Sequence, residues 1–192
     1  YEGTNEINRL LTVDMLLRRA MKGGINLMQP AMAVLREADS GKPSAGLPEA
    51  GPLAAEKHAL ANLKKAALLV SGAVTQRLMT RLKQEQEILL QLADMFIQLY
   101  VLESALLRTE KRLGKEDFAL RHDLTVLILH HGAARIREAA REALFAFAEG
   151  PDLHKLLQAA ELWISAPPAN LVAARRRVAQ AALAKGAYPF EN

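Results

Sequence analysis

Apolar residues recur at three- and four-residue steps along nearly the whole chain, and no stretch alternates apolar and polar positions over the length of a strand. The clearest run is Ile88, Leu92, Met95, Leu99, Leu102 and Leu106, one stripe of a helix expected over about 84–113. Leu89, Ile97, Tyr100, Val101 and Leu107 add a second apolar side, which predicts a helix buried on more than one face, as in the middle of a bundle. Leu120, Leu124, Leu127, Ile128, Ile136, Leu144 and Phe147 mark another helix over about 118–148, with the charges of "RIREAARE" around it. A third long helix is expected over about 53–82, and shorter ones over 5–22, 26–38, about 150–165 and 171–185.

The breaks are as legible as the helices. "KGG" at 22–24, "GKED" at 114–117, "GPD" at 150–152 and "APPAN" at 166–170 each carry residues that end or start a helix. Between 39 and 52, Gly41, Gly46 and Gly51 alternate with Pro43, Pro48 and Pro52, a composition that no helix interior tolerates. The expectation is therefore an all-α fold, an antiparallel four-helix-bundle-like unit over 53–192, joined by a Gly/Pro-rich linker over 39–52 to a shorter helical segment over 1–38.

Composition narrows the function more than it names it. With 192 residues, 51% of them apolar, the chain can bury a sizeable core. It has no cysteine, which excludes disulfides, thiolate metal sites and a cysteine nucleophile, and suits a reducing compartment. Charge-free runs such as 66–76 and 124–134 fall short of the ~18 residues of a membrane span, and acidic and basic residues interrupt the first segment where a secretory leader would be apolar. The chain reads as soluble and cytoplasmic. Net charge is +4, with Arg175, Arg176, Arg177 and Lys185 against Glu191 at the basic end. Aromatics at 5% give no stacking platform for nucleic acid, and none is expected as a partner.

Among candidate chemistry, His130 and His131 are adjacent, so they point about 100° apart on a helix and do not share a ligating face; no metal is expected. Ser71 and Gly72 of "SGAVT" suit close helix packing better than nucleophilic chemistry. The 171–185 helix pairs "RRR" with Leu171, Val172, Val178 and Leu183, a pattern that fits either a solvated basic face or contact with an anionic membrane surface. The stretch "YEGTNEINRLL" places a carboxylate before a glycine and a hydroxyl residue at the start of an apolar-periodic helix. Such a corner is a plain helix cap, or a place where a ligand approaches the backbone and an anion meets unpaired N–H groups.

That opening string resembles the active-site segment of the acyl-CoA dehydrogenases, in which an aromatic-Glu-Gly-Thr turn carries the catalytic base. "EQEILLQLAD", "IQLYVL" and "AARIRE" are similar to the additional helical C-terminal region of the very-long-chain members and their bacterial relatives. The resemblance implies the C-terminal piece of a larger flavoenzyme, with 1–38 closing its catalytic core and the preceding catalytic domains outside this sequence. It implies that Glu2 removes the α-proton of a fatty acyl-CoA, with its backbone N–H helping to polarise the thioester carbonyl, and that Gly3 lies against the substrate. Thr4, Asn5 and Glu6 would border FAD, although the Glu6 position is Gln or Asp in some relatives. FAD as cofactor, an electron-transfer flavoprotein-like acceptor, a homo-oligomer such as a dimer, and peripheral contact with the inner membrane through 171–185 are implied in the same way. The isolated chain is expected neither to hold FAD nor to oxidise acyl-CoA. The rival expectation is a non-catalytic helical interaction or membrane-surface module, in which the opening residues are a cap and no more. Arg9 receives no role from the sequence.

Overall fold

The computed structural model describes residues 3–190. Seven helices follow in order: α1 Asn5–Met21, α2 Met28–Asp39, α3 Ala54–Leu78, α4 Gln86–Glu110, α5 Phe118–Phe145, α6 Gly150–Trp163 and α7 Leu171–Lys185. No strand occurs among the described residues. The ends of α6 and α7 follow ordinary capping chemistry. Asn170 caps α7 by accepting from the Ala173 N–H at 3.0 Å, Pro151 occupies the first turn of α6, and Gly186 ends α7 at φ 62°. Helix α3 stops four residues before the sequence pattern suggests, because Met79 turns to φ 43° and Met79–Gln84 tightens into a 3₁₀ stretch.

The bundle is formed by α3, α4, α5 and α6, each packed on the next, with α6 closing back on α3. Pair positions give the directions. Lys57 and Lys64 of α3 meet Glu110 and Glu103 of α4, and the Thr109 and Thr125 hydroxyls meet at 2.7 Å where α4 and α5 begin to run past each other. Further along that contact Leu102 faces Gly132 and Gln91 bonds Glu142. Arg77 pairs with Asp152, while Lys65 lies over the Trp163 ring at 4.6 Å, so α6 is antiparallel to α3. The core between them holds Leu63, Leu69, Val70, Met95, Ile136, Leu144 and Trp163, all nearly inaccessible. Small residues set the spacing: a Cβ on Gly132 would lie 3.0 Å from the Leu102 methyl groups, and one on Gly72 3.0 Å from Leu35 of α2.

Two expectations change in the structure. The inner line of α5 runs through Thr125, Leu129, Gly132, Ile136, Ala139 and Ala143, whereas Leu120, Leu124 and Leu127 are only half-buried. Small residues let α4 approach closely, and a pattern weighted on large side chains misses them. The second apolar side of α4 is not an inner face: Ile97, Tyr100, Val101 and Leu107 are exposed, and Leu89 alone of that set packs on the core from a half-buried position. By length and composition α4 is apolar enough to cross a membrane. Its Leu92, Met95, Leu99 and Leu102 are packed inside the bundle.

The remaining helices attach to the bundle from outside. Helix α2 packs on α3 and α6, α7 on α5, and α1 on α4. The Gly/Pro-rich stretch between α2 and α3 is non-helical but fastened. The Ser44 carbonyl accepts from Trp163 Nε1 at 2.9 Å and from Lys65 at 3.0 Å, and the Ala45 carbonyl accepts from Asn62 at 2.9 Å. Glu37 completes this strap by accepting from the Ser44 N–H at 3.0 Å and pairing with Lys65 at 2.9 Å.

Candidate functional site

The residues singled out in the sequence lie at the N-terminal end of α1. Gly3 has φ 93°, a conformation that side chains rarely adopt, and a Cβ there would also meet the Asn8 side-chain oxygen at 3.2 Å. Thr4 is the cap, its hydroxyl accepting from the Ile7 N–H at 3.4 Å. Asn5 opens the helix and is exposed, as is Glu6. The Glu6 carboxyl is held below the usual range first by its own backbone N–H, then by the Thr4 hydroxyl, with the charge of Arg9 adding to both. Glu6 is thus part of the cap. Glu2 lies outside the described residues.

Gly3, Thr4, Asn5 and Glu6 therefore sit together on an exposed corner, where the charge of Arg9 reaches Glu6. The corner has a glycine turn at positive φ, an exposed helix start and the exposed Glu6 carboxyl beside the Thr4 cap. It can border a ligand, and the residues on it cannot by themselves form a closed pocket.

One residue behind this corner has a partner that the sequence does not reveal. Arg9, just over one turn into α1, pairs with Asp94 on α4, 85 residues away. Its Nε is buried without a hydrogen-bond partner among the described residues. The only sequence signal would have been an arginine on the inward face of α1, and the partner could not have been read from spacing.

The other candidates resolve into structure. His130 bonds the Pro167 carbonyl at 2.8 Å, and among the described residues no group of three or more ligating side chains could hold a metal. The Ser71 and Thr75 hydroxyls donate back to the Ala67 and Ser71 carbonyls, each at 2.7 Å, so neither is poised as a nucleophile. Arg177 grips Asp123 of α5 through two bonds of 2.5 and 2.6 Å, which raises its pKa, while Arg175 and Arg176 face solvent. An apolar hollow of about 230 Å³ lies between α1, α2, α3 and α4, lined by Val13, Leu17, Met28, Leu35, Gly72 and Phe96 among others. No charged side chain lines it, so it offers no acid, base or ligating group.

Comparison with known proteins gives the corner a context. The family described as "Acyl-CoA dehydrogenase, C-terminal domain" matches residues 62–161, more than half of the chain. A probable acyl-CoA dehydrogenase of Bacillus subtilis is 34% identical over 182 residues, covering 93% of this chain and 30% of that protein. The crystal structure of an acyl-CoA dehydrogenase complexed with FAD from Bacillus anthracis superposes with a TM-score of 0.89 at 34% identity, covering 98% of this chain and 32% of the other. The chain thus spans about a third of the length of these relatives.

Proposed function

Because this chain belongs to the acyl-CoA dehydrogenase family, as its C-terminal part, we propose that it completes an FAD-dependent enzyme that oxidises long-chain fatty acyl-CoA to trans-2-enoyl-CoA in fatty acid β-oxidation. What carries the reading is the exposed Gly3–Thr4 turn at the head of α1, in a chain that overlays the C-terminal third of an FAD-complexed dehydrogenase. Residues 1–38 close the catalytic core, 39–52 link it, and 53–192 form the added bundle.

In this reading Glu2 takes the α-proton of the thioester. A carboxylate suits that step when it is ionised near neutral pH, partly desolvated and within about 3 Å of the proton. Its backbone N–H, beside the turn, donates to the thioester carbonyl and stabilises the charge that develops there as the proton leaves. Gly3 keeps the backbone free of a side chain where the substrate passes, and its φ of 93° aims the chain into the Thr4 cap. The exposed Thr4 and Asn5 are the residues here that fit a polar cofactor edge, while Glu6 borders it through the cap it helps to close. Bound FAD supplies the acceptor for the β-hydride. Electrons then pass to an electron-transfer flavoprotein-like acceptor, and the assembled enzyme is a homo-oligomer.

The test is anaerobic flavin reduction by a long-chain acyl-CoA in the full-length protein. Glu2→Gln should slow the reduction by roughly 10²–10⁴-fold with FAD still bound. Reduction at the wild-type rate would remove Glu2 as the base, and equal rates with short acyl chains would remove the long-chain assignment. The 192-residue chain alone should neither bind FAD stoichiometrically nor oxidise acyl-CoA, since positioning of that kind draws on groups elsewhere in the enzyme.

A second reading concerns location. Helix α7 exposes Val172 and Leu183 beside Arg175 and Arg176, the ingredients of contact with an anionic membrane surface. We infer a cytoplasmic enzyme that touches the inner membrane through this helix. Arg175→Ala with Arg176→Ala should weaken pelleting with anionic vesicles and leave neutral vesicles unchanged; equal pelleting of both proteins refutes the contact. Arg177 is left intact in this test because it holds α7 to Asp123.

A further inference from the structure

We propose that Arg9 and Asp94 are positioning residues for the catalytic turn, so that the added bundle sets where the base stands. The inference rests on the reading above that the turn before α1 carries the base. It comes from how α1 is attached. Every described residue before Arg9 is exposed, and Arg9 is the first along the helix that is drawn in. Val13 is the buried residue of α1, a further turn on, and the apolar hollow separates the middle of α1 from α2. Among the described residues of this chain the Arg9–Asp94 pair is therefore the anchor nearest the turn, about 7 Å along the helix axis from the Thr4 cap.

The chemistry of the pair suits a locating contact. Arginine presents a rigid planar fork that stays charged, and its side chain is 23% exposed against 31% for Asp94, so solvent screens the pair less than a surface bridge. Asp94 stands between Ala93 and Met95, both fully buried in the α4 face of the bundle, so the carboxylate is carried by backbone packed in the core. Arg9 is separated from Gly3 by a helical turn and a half capped by Thr4, and Gly3 is set at φ 93° with the Asn8 side chain beside it. A displacement at Arg9 is thus passed to the turn rather than absorbed. A carboxylate moved by even about 1 Å from its proton loses much of its rate.

The experiment uses the full-length protein with FAD bound. Amide hydrogen exchange is followed in the peptides covering residues 3–12 and, as a control on folding, in those covering α3 and α5. Arg9→Met and Asp94→Asn should each speed exchange in 3–12 about tenfold and leave α3 and α5 unchanged, and Arg9→Lys should fall between them and wild type. The charge exchange Arg9→Asp with Asp94→Arg should bring protection back toward wild type. In the same proteins kcat for acyl-CoA oxidation should fall while KM and FAD content hold, and the exchanged pair should recover part of it. Unchanged exchange in 3–12, or a rate per bound flavin equal to wild type, overturns the inference. Glu2→Gln run alongside separates the two readings: if it reduces flavin normally the base assignment fails, while the exchange data still decide whether the pair fixes α1.

Discussion

Helices α3 and α1 belong to the same chain and are built on different terms. Eleven of the 25 residues of α3 are buried, and its contacts reach α2, α4, α5 and α6. Of the 17 residues of α1, Val13 is buried, while Ile7, Leu11 and Met15 stand exposed along one side. Helix α3 is covered on all sides, by α4, α5 and α6 of the bundle and by α2 from outside it. Helix α1 lies along α4, reaches the core through Val13 and the half-buried Leu17, and adds one ion pair beside the hollow. A helix held this lightly draws its place from a few contacts, so each of them has leverage that no single contact in the bundle has. The difference separates a helix at the centre of the core from one that meets it along an edge.

That contrast is broken most severely at Trp163. Its ring is wholly buried, its Nε1 holds the strap at the Ser44 carbonyl, and Lys65 covers its face. Trp163→Ala should cost about 3–5 kcal/mol in urea unfolding of the chain. Val13→Ala, the matching deletion on α1, should cost on the order of 1 kcal/mol. Equal losses would mean that Val13 carries as much of the shared core as Trp163 does, and that α1 is not lightly held. Next in size is the spacing of α4 and α5. Gly132→Val adds three carbons, the first of them only 3.0 Å from the Leu102 methyl groups, between two closely packed helices, and should cost about 1–3 kcal/mol or more. Gly72→Val, facing Leu35 on the more loosely held α2, should cost less, because α2 can move away.

Acid offers a gentler probe of the bundle. The Asp117 carboxyl, at the start of α5, is held below its ordinary value of 3.8 by Arg121 first and Arg112 second, at 2.5 and 2.8 Å. A carboxyl with a lowered folded pKa stabilises the fold above its unfolded pKa, and that contribution disappears as pH falls through the folded value. The stability difference between wild type and Asp117→Asn should therefore be constant from neutral pH down to about pH 5 and shrink below about pH 4. Glu37, in the strap, behaves in the same sense: burial pushes its pKa up, but the Ser44 N–H and Lys65 outweigh it and leave it lowered. A difference that grows on acidification would reverse the assigned direction.

Much of this architecture was legible before any coordinate, and the reasons are local. Caps, glycines and prolines act on the residues beside them, so α1, α2, α5, α6 and α7 end within about three residues of where the breakers place them. The α4 surface shows where local reading stops. Ile97, Tyr100, Val101 and Leu107 announce a need for cover, and periodicity counts apolar faces without saying which of them the chain itself will bury. Pairing across the chain is also silent in the pattern: Arg9 and Asp94 are 85 residues apart, and Trp163 reaches a carbonyl 119 residues before it. At the opening motif, what was legible is the local geometry. Gly3 and Thr4 have the backbone and capping roles their chemistry suggests, whereas the role of Glu2 comes from resemblance, and it lies outside the described residues.

The smallest expected effect is the sharpest test of the comparison. The Thr4 hydroxyl accepts one N–H, that of Ile7, and removing such a cap costs about 1 kcal/mol of helix stability. In a helix that unfolds together with the core, that loss appears in global unfolding. In α1 it need not, because the residues before Arg9 make no buried contact whose loss would propagate. Thr4→Ala should therefore leave the urea midpoint of the chain within error and speed amide exchange roughly fivefold in the first turn of α1, with the turns beyond Val13 unaffected. The same substitution at Asn170, the cap of α7, is the internal control: it too loses one bond, to Ala173, but α7 is tied to the bundle by Arg177 and Asp123 and by the burial of Ala174. Asn170→Ala should lower the midpoint as well as speed exchange. If Thr4→Ala shifts the midpoint by as much as Asn170→Ala, then α1 is no more loosely held than α7, and the ion pair at Arg9 loses the leverage that a lightly attached helix gives it.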